Sequence, residues 1–195
     1  MSRRSPPGLV ALAGPNGAGK STAGPALLKE TLGITEFVNA DVIARGISAF
    51  APEKAAFSAG RIMLHRMEEL ADRRASFAFE TTLAGRSHAG WIQKLVEGGY
   101  EFHLLFLWLP SADFAVQRVR DRVRLGGHAV PEDTIRRRYR AGLRNFFRIY
   151  RPLAANWQVY DNSGGYSPRL IASGAGHSTA TIEAREVWKK IEVQG

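Results

Sequence analysis

Short apolar runs alternate along the chain with longer segments of helical periodicity. The predicted strands are Leu9–Ala13, Glu36–Ala40, Ser76–Glu80, Phe102–Leu109 and Trp157–Tyr160. The predicted helices are Ser21–Leu32, Pro52–Arg74, His88–Glu97, Ser111–Leu125 and Pro131–Tyr150. This alternation is typical of a parallel sheet whose strands are joined by crossover helices, so the pattern predicts an α/β fold.

Three further features refine the prediction. The run from Phe102 to Leu109 is almost continuously apolar, which indicates helices on both faces of the sheet and therefore three layers. Pro25 lies inside the first helix and cannot donate to the Ser21 carbonyl, so we expect a kink there. Beyond Pro168 we expect a strand at Arg169–Ala172 and a helix near Ile182–Ile191.

Composition limits the class of protein. The 195 residues suit one domain spanning 1–195, and 45% hydrophobic with 23% charged residues is ordinary for a globular chain. No apolar run approaches the length of a membrane span, so we expect no membrane partner. The chain has no cysteine, which excludes disulfides and cysteine nucleophiles. Cytoplasmic residence is the expectation.

The net charge of +9 is concentrated in one segment. Residues 118–151 hold eleven arginines, no lysine and three acids, a net charge of +8. A cluster of arginines without lysines favours bidentate hydrogen bonding to phosphate groups over non-specific binding to polyanions. The Gly126-Gly127 break divides the segment into two helices, so 118–150 is predicted to be a mobile lid, with a plain solvated basic face as the alternative.

A complete phosphate-binding loop follows the first predicted strand. Its residues are Gly14, Pro15, Asn16, Gly17, Ala18, Gly19, Lys20 and Ser21, with Thr22 continuing into the helix. The glycines let backbone N–H groups face a phosphate, the lysine reaches the β- and γ-phosphates, and Ser21 offers its hydroxyl to Mg²⁺. The fold class is therefore a three-layer P-loop NTPase fold of about five parallel strands, with ATP and Mg²⁺ as expected cofactors.

Carboxylates stand at the ends of the second and third strands, where an open α/β sheet binds its ligands. Asp41 is placed to orient an acceptor hydroxyl and take its proton, although it could instead cap the following helix. Glu80 could hold magnesium-bound water or substrate, and Thr82 could bind substrate, although both could be structural. The loop Asp161–Gly164 is either a base-proximal loop or a simple turn.

Taken together, these motifs resemble the zeta toxin family of small P-loop kinases. The matching stretches are GPNGAGKST (14–22), FVNADVIARG (37–46), FAFETTLAGRS (77–87), RVRLGGHAVPEDTIRRRYRAGLRNF (122–146) and YDNSG (160–164). The resemblance implies an ATP-dependent kinase acting on the 3′-hydroxyl of the sugar in UDP-N-acetylglucosamine. It also implies functional roles for Lys20, Asp41, Glu80, Thr82, Arg124 and Arg138.

Details of the resemblance remain open. Arg122 and Arg137 are the alternatives to Arg124 and Arg138 at the two lid positions. Arg86 is slightly displaced from the substrate-binding arginine of the family, so the acceptor could differ. Family toxins carry helical sequence before the P-loop strand that helps to form the antitoxin interface, whereas this chain begins almost at the strand, which places an antitoxin last among the expected partners.

The leading hypothesis is therefore a kinase that transfers the γ-phosphate of ATP to a sugar hydroxyl. A kinase of another metabolite, such as a nucleoside or a sugar acid, is the first alternative. A nucleic-acid-associated P-loop ATPase is the second, motivated by the net charge, but the charge is confined to the lid and no known nucleic-acid module accompanies it. Nucleic acid is therefore not an expected partner.

Overall fold

The structure, a computed structural model, describes residues 5–31, 33–164 and 167–195. Its strands are β1 Gly8–Ala13, β2 Glu36–Val38, β3 Phe77–Thr81, β4 Glu101–Trp108, β5 Asn156–Asp161, β6 Arg169–Ala175 and β7 Ser178–Ile182. They form one sheet in the order β2-β3-β1-β4-β5-β6-β7. The first five strands pair in parallel, as predicted, and β6 and β7 extend the sheet by antiparallel pairing.

The sheet is thus two strands wider than the parallel part. The strand expected at Arg169–Ala172 is present as the longer β6. The strand β7 was not predicted, because four of its five residues are exposed and only Ala180 and Ile182 are apolar, too few to form an apolar run. The last helix consequently begins later than expected, at Arg185.

In the described part of the chain, seven α-helices connect or cover these strands. They are α1 Lys20–Pro25, α2 Ala40–Ile47, α3 Ala56–Asp72, α4 Ser87–Glu97, α5 Ala112–Arg124, α6 Glu132–Asn145 and α7 Arg185–Gln194. A 3₁₀ turn at Pro52–Ala55 precedes α3, and another at Arg151–Leu153 precedes β5. A π-helical segment at Phe146–Tyr150 extends α6, as expected for a predicted helix that reached Tyr150.

At Pro25, where a kink is expected, the helix type changes. The α-helical pattern of α1 ends at Pro25 and continues as a π-helical segment over Ala26–Thr31. A proline within a helix removes one backbone donor, and a local change of helix type accommodates the loss. The predicted end of this helix, Leu32, lies outside the described residues.

Both faces of the sheet are covered, which confirms the three-layer prediction. On one face, α3 contributes Met63, Met67 and Leu70 to a core that also contains β3, β4, α7 and the end of α6. On the other face, α5 and α6 pack over alternate residues of β1 and β4. None of the described helices combines the length and apolar character needed to cross a bilayer.

Candidate active site

The carboxyl ends of β1, β2 and β3 meet at one edge of the sheet. Leu12 and Ala13 of β1 pair with Glu80 and Thr81 of β3, and β2 lies on the far side of β3. The phosphate loop leaves the sheet at this edge directly after Ala13. Because β1 lies between β3 and β4, the loop stands at the crevice where open α/β sheets bind their ligands.

The loop owes its shape to glycines at positions that other residues rarely adopt. Gly14, Gly17 and Gly19 have φ angles of 142°, 80° and 78°. A side chain at Gly14 would overlap the backbone oxygen of Leu107, and a Cβ at Gly19 would lie 2.6 Å from the Asn162 amide. The helix α1 begins at Lys20, so its positive end faces the loop.

Lys20 lies against the loop with 6% of its surface exposed. Its Nζ donates to the Gly14 oxygen at 2.9 Å and the Pro15 oxygen at 3.0 Å, and it lies 3.6 Å from Glu80 Oε1. Burial lowers the pKa of Lys20, and the carboxylates of Glu80 and Asp41 oppose that shift. The fold therefore holds a cation at the place where the motif needs one for phosphate.

Glu80 is the centre of a polar cluster. Its Oε2 accepts from the Ser21 hydroxyl at 3.0 Å and from Asn39 Nδ2 at 2.6 Å, while its other oxygen faces Lys20. Asn39 was not singled out in the sequence. Its position between a strand and a helix, where asparagine often caps, was the available signal.

Asp41 lies in the first turn of α2 but does not cap the helix. The cap is Asn39, whose Oδ1 accepts from the backbone nitrogens of Asp41 and Val42 at 2.8 and 3.2 Å. This corrects the capping alternative and also explains why β2 ends at Val38, short of the predicted Ala40. The Asp41 carboxylate is thereby left for other contacts, and its charge acts on the pKa of both Lys20 and Arg138.

Two cavities meet at this carboxylate. The smaller, about 210 Å³, lies over the phosphate loop and is also lined by Thr22, Glu80 and Arg118. The larger, about 620 Å³, lies between α2 and the turn that joins α5 to α6. The residues lining both cavities are Ser21, Asp41 and Arg122.

Arginines of the predicted lid close one side of the cavities. Arg122 lines both, and its Nη2 donates to the His128 oxygen at 2.6 Å. Arg138 lines the larger cavity, where burial lowers the pKa of its guanidinium and the Asp41 carboxylate opposes that shift. The tip of the segment approaches the opposite wall, because His128 Nδ1 lies 3.9 Å from Glu53 Oε2.

Arg124 is not part of this wall. Its side chain is 75% exposed and pairs with Asp121 at 3.2 Å, and it lines a separate cleft between α5 and α6 instead of either cavity. The geometry therefore favours Arg122 over Arg124 as the α5 arginine near the phosphate loop. Residues two apart point to nearly opposite sides of a helix, and sequence alone did not fix which side of α5 faces the loop. Arg137, the other rival, is exposed.

Thr82 and Arg86 lie on the loop that follows β3. Thr82 Oγ1 accepts from the Ala84 nitrogen at 3.5 Å, and Arg86 is exposed at the start of α4. Neither residue lines the two cavities in the described part of the chain. The structure thus brings Asp41, Glu80 and Lys20 together but leaves these two predicted substrate residues outside.

The loop after β5 contacts the phosphate loop from the other side. Asn162 Nδ2 donates to the Ala18 oxygen at 2.7 Å, and Ser163 N donates to the Asp161 side chain at 2.9 Å. The second bond is a turn within the loop, and the first ties the loop to the phosphate site. Asn16 also lines the smaller cavity, with its Oδ1 buried and lacking a partner among the described residues.

The donors at the loop suit Mg²⁺ better than a transition metal. Ser21 Oγ and Glu80 Oε2 supply hard oxygen atoms 3.0 Å apart. Across the described residues, His, Cys, Asp and Glu side chains form no group of three or more that could hold a metal alone. Mg²⁺ usually binds through one or two protein oxygens plus phosphates and water, so the residues present fit that ion.

A phosphate loop by itself is shared by hydrolases, switches and kinases. Here the loop opens sideways into a second, larger cavity with a carboxylate at the junction, which leaves room for a second molecule beside the phosphates. That arrangement, on a mostly parallel sheet, is typical of P-loop kinases, which are phosphotransferases with a hydroxyl acceptor. Comparison with protein-family models then identifies the family: the zeta toxin model matches residues 1–167, and the chain belongs to the zeta toxin family.

Solved structures share the fold at low sequence identity. A chain of the AvrRxo1-ORF1:-ORF2 complex with ATP superposes with a TM-score of 0.69 at 18% identity, covering 97% of this chain and 64% of that one. The PezAT toxin–antitoxin system of Streptococcus pneumoniae gives 0.66 at 16% identity, covering 100% and 88%. A gluconokinase from Sinorhizobium meliloti gives 0.52 at 17% identity, covering 98% and 93%.

Among curated sequences, an uncharacterized protein of Haemophilus influenzae is 29% identical over 126 residues, which are 65% of this chain and 88% of that protein. The chain spans just under two thirds of the AvrRxo1 complex chain that it matches.

Proposed function

We propose that this protein is an ATP-dependent kinase that transfers the γ-phosphate to a sugar hydroxyl, with UDP-N-acetylglucosamine as the first candidate acceptor. The observation that carries the proposal is the junction of the two cavities at Ser21, Asp41 and Arg122. A donor in the smaller cavity and an acceptor in the larger one would meet at these side chains. Family membership supports the choice of acceptor.

The donor half is built around the phosphate loop. Backbone N–H groups of the loop and the end of α1 would bind the β- and γ-phosphates of ATP, with Lys20 adding a positive charge. Ser21 and Glu80 would hold Mg²⁺, which when bound neutralises charge on the phosphates. Arg122 lines the junction and would stabilise the charge that develops on the transferred group.

Asp41 would orient the acceptor hydroxyl and accept its proton during in-line transfer. Its carboxylate is free of the capping role, and it lies close enough to Lys20 and Arg138 for its charge to oppose the lowering of the pKa of both groups by burial. Arg138 would also bind an anionic group of the acceptor. Positioning and electrostatics supply most of the rate enhancement in such reactions.

We further propose that residues 118–150 act as a lid within a single domain of 1–195. The segment comprises most of α5 and all of α6, and Arg122 and Arg138 on it face the cavities. At its tip, Gly126 has a φ of 83° and a Cβ there would meet no neighbour, which suits a hinge. Closure would bring arginines to the phosphates and exclude water.

A second candidate is a kinase of another metabolite, such as a sugar acid. The specific observation is the position of Thr82 and Arg86 outside the cavities, because both positions were expected to contact the family's acceptor. PezAT is described as a toxin–antitoxin system, which makes an antitoxin a candidate partner for this chain as well.

The decisive test is phosphate transfer from γ-labelled ATP to a panel of UDP-sugars, nucleosides and small sugar acids. We expect a labelled nucleotide sugar with the wild type, and a loss of about 10²- to 10⁴-fold with Asp41→Ala, the range for a general base. Lys20→Ala should abolish transfer. Asp72→Asn, an exposed acid at the end of α3, is the control and should match the wild type.

Each result separates the candidates. Transfer only to a sugar acid would favour the second candidate. An Asp41→Ala variant that transfers phosphate at the wild-type rate would remove Asp41 as the base. Steeply salt-dependent binding to an oligonucleotide, with ATP hydrolysis stimulated by it and no transfer to any acceptor, would overturn the kinase proposal.

A further inference from the structure

Asn39 connects the two carboxylates to which the proposed function gives separate roles. It follows β2 directly and is buried, with 4% of its surface exposed. Its Oδ1 accepts from the backbone nitrogen of Asp41 at 2.8 Å and from that of Val42 at 3.2 Å. One end of the amide therefore fixes the start of α2, and with it the backbone that carries the Asp41 carboxylate.

The other end of the same amide holds Glu80. Asn39 Nδ2 donates to Glu80 Oε2 at 2.6 Å, a short bond to a charged acceptor and hence a strong one. The same carboxylate oxygen accepts from Ser21 at 3.0 Å. Asn39 thus shares Glu80 with the hydroxyl that would bind Mg²⁺.

The two contacts make different chemical demands. Capping α2 requires only an acceptor, which serine or aspartate also supplies. Holding Glu80 requires a donor that reaches across from the β2 strand end to β3. A side-chain amide supplies both at once, and its orientation is fixed, because the reverse would set the NH₂ group against two N–H donors and the oxygen against a carboxylate.

We propose that Asn39 is a positioning residue that sets the Asp41 and Glu80 carboxylates relative to one another. It would couple the carboxylate that activates the acceptor to the one that holds the metal, through one buried side chain. The inference rests on the proposed roles of Asp41 and Glu80 and assigns Asn39 no contact with substrate.

The test separates the two ends of the amide. Asn39→Ser keeps an acceptor for the α2 cap but is too short to reach Glu80, whereas Asn39→Ala loses both contacts. Ser111→Ala is the matched control, because Ser111 caps α5 through the Phe114 nitrogen at 3.1 Å and has no bond to a carboxylate among the described contacts.

Three measurements are needed for each variant: the unfolding midpoint, kcat and KM for transfer, and affinity for a non-hydrolysable ATP analogue with and without Mg²⁺. We expect Asn39→Ser to lose less stability than Asn39→Ala, because it keeps the α2 cap, yet to lose about 10- to 100-fold in kcat, the usual effect of removing a hydrogen bond that orients a metal-binding group. Its Mg²⁺-dependent gain in analogue affinity should fall about tenfold. Asn39→Ala should lose both stability and rate, and Ser111→Ala stability alone.

An Asn39→Ser variant with the wild-type kcat and the wild-type gain from Mg²⁺ would overturn the proposal. Failure of the proposed function is a different result: the wild type would then phosphorylate no acceptor in the panel. In that case the Mg²⁺-dependent gain in affinity still decides whether Asn39 positions Glu80, because it requires no acceptor.

Discussion

Lys20 is a charged side chain that the fold buries almost completely. Removing an ammonium group from water is costly unless hydrogen bonds and an opposite charge replace the lost solvation. Here two loop carbonyls and Glu80 do so. The pKa of Lys20 is still lowered, because the effect of burial exceeds that of the nearby carboxylates. A buried ion pair is weak evidence for stability, so we attribute this lysine to phosphate binding.

Gly14 offers a prediction at the scale of one residue. With a φ of 142° and the Leu107 oxygen in the path of any Cβ, Gly14→Ala should distort the loop, reduce ATP affinity at least tenfold and destabilise the fold by about 1–3 kcal/mol. Isothermal titration with ATP and urea unfolding measure the two effects.

A matched glycine supplies the control. Gly60 lies inside α3, where a Cβ would meet no atom within 4 Å, so Gly60→Ala should leave ATP affinity unchanged and stabilise the protein by about 0.5–1 kcal/mol. ATP affinity equal to the wild type in Gly14→Ala would show that the loop tolerates a side chain there.

At the scale of the element, α5 turns a run of alternating arginines into two faces. Arg118 and Arg122 are four residues apart and both line the smaller cavity, whereas Arg120 and Arg124 point away and pair with Glu132 and Asp121. Helical geometry therefore divides one basic run into a face toward the smaller cavity and a solvated face.

This division predicts different effects for two neighbouring substitutions. Arg122→Ala should lower kcat about 100-fold, because a group that stabilises the transferred phosphoryl charge is lost, while Arg124→Ala should stay within about twofold of the wild type. Steady-state phosphate transfer measures both rates. The unfolding midpoint of Arg122→Ala shows whether loss of its hydrogen bond to the His128 oxygen also destabilises the fold. Equal losses in the two variants would contradict the assignment of faces.

At the scale of the whole molecule, the helix that carries Arg138 is anchored to the loop after β3. Asn145 Nδ2 donates to the Leu83 oxygen at 2.8 Å, and the Tyr150 hydroxyl donates to the Gly85 oxygen at 2.7 Å. Leu83 has a positive φ of 54°, a conformation that costs energy unless its surroundings hold it. The two anchors connect the proposed lid to the edge of the sheet that carries Glu80.

Tyr150 also predicts how stability depends on pH. Burial raises its pKa from 10.0 to about 12, so the folded state retains the proton over a range in which the unfolded state loses it. The contribution of the protonated Tyr150 phenol to the free energy of unfolding is therefore complete below pH 10 and is lost as the pH rises toward 12.

Tyr150→Phe should cost about 1 kcal/mol near neutral pH, through the lost hydrogen bond, and should show a shallower fall in the free energy of unfolding between pH 10 and 12. Urea titrations of both proteins across this range give the difference. Parallel curves would mean that the phenol titrates alike in the folded and unfolded states.

Much of the fold could be predicted because it depends on local patterns. Apolar runs and helical periodicity located the five parallel strands and most helices. Pro25 indicated where the first helix changes its type. The edge strand β7 was not predicted because its residues are mostly exposed, small or polar, and such a strand lacks an apolar run. The sequence indicated only that a helix follows Asp41, and the structure shows that α2 begins earlier, at Ala40, because Asn39 is its cap.

The sequence by itself determined the phosphate loop, since its glycines, lysine and serine act through backbone geometry within one short stretch. It also indicated which strand ends carry carboxylates. Only the tertiary structure decided that Arg122 rather than Arg124 lines the cavity over the phosphate loop, that Asn39 joins Glu80 to α2, and that Thr82 and Arg86 lie outside the two cavities. Those outcomes depend on how helices are rotated and packed against the sheet, which contacts between residues distant in the chain determine.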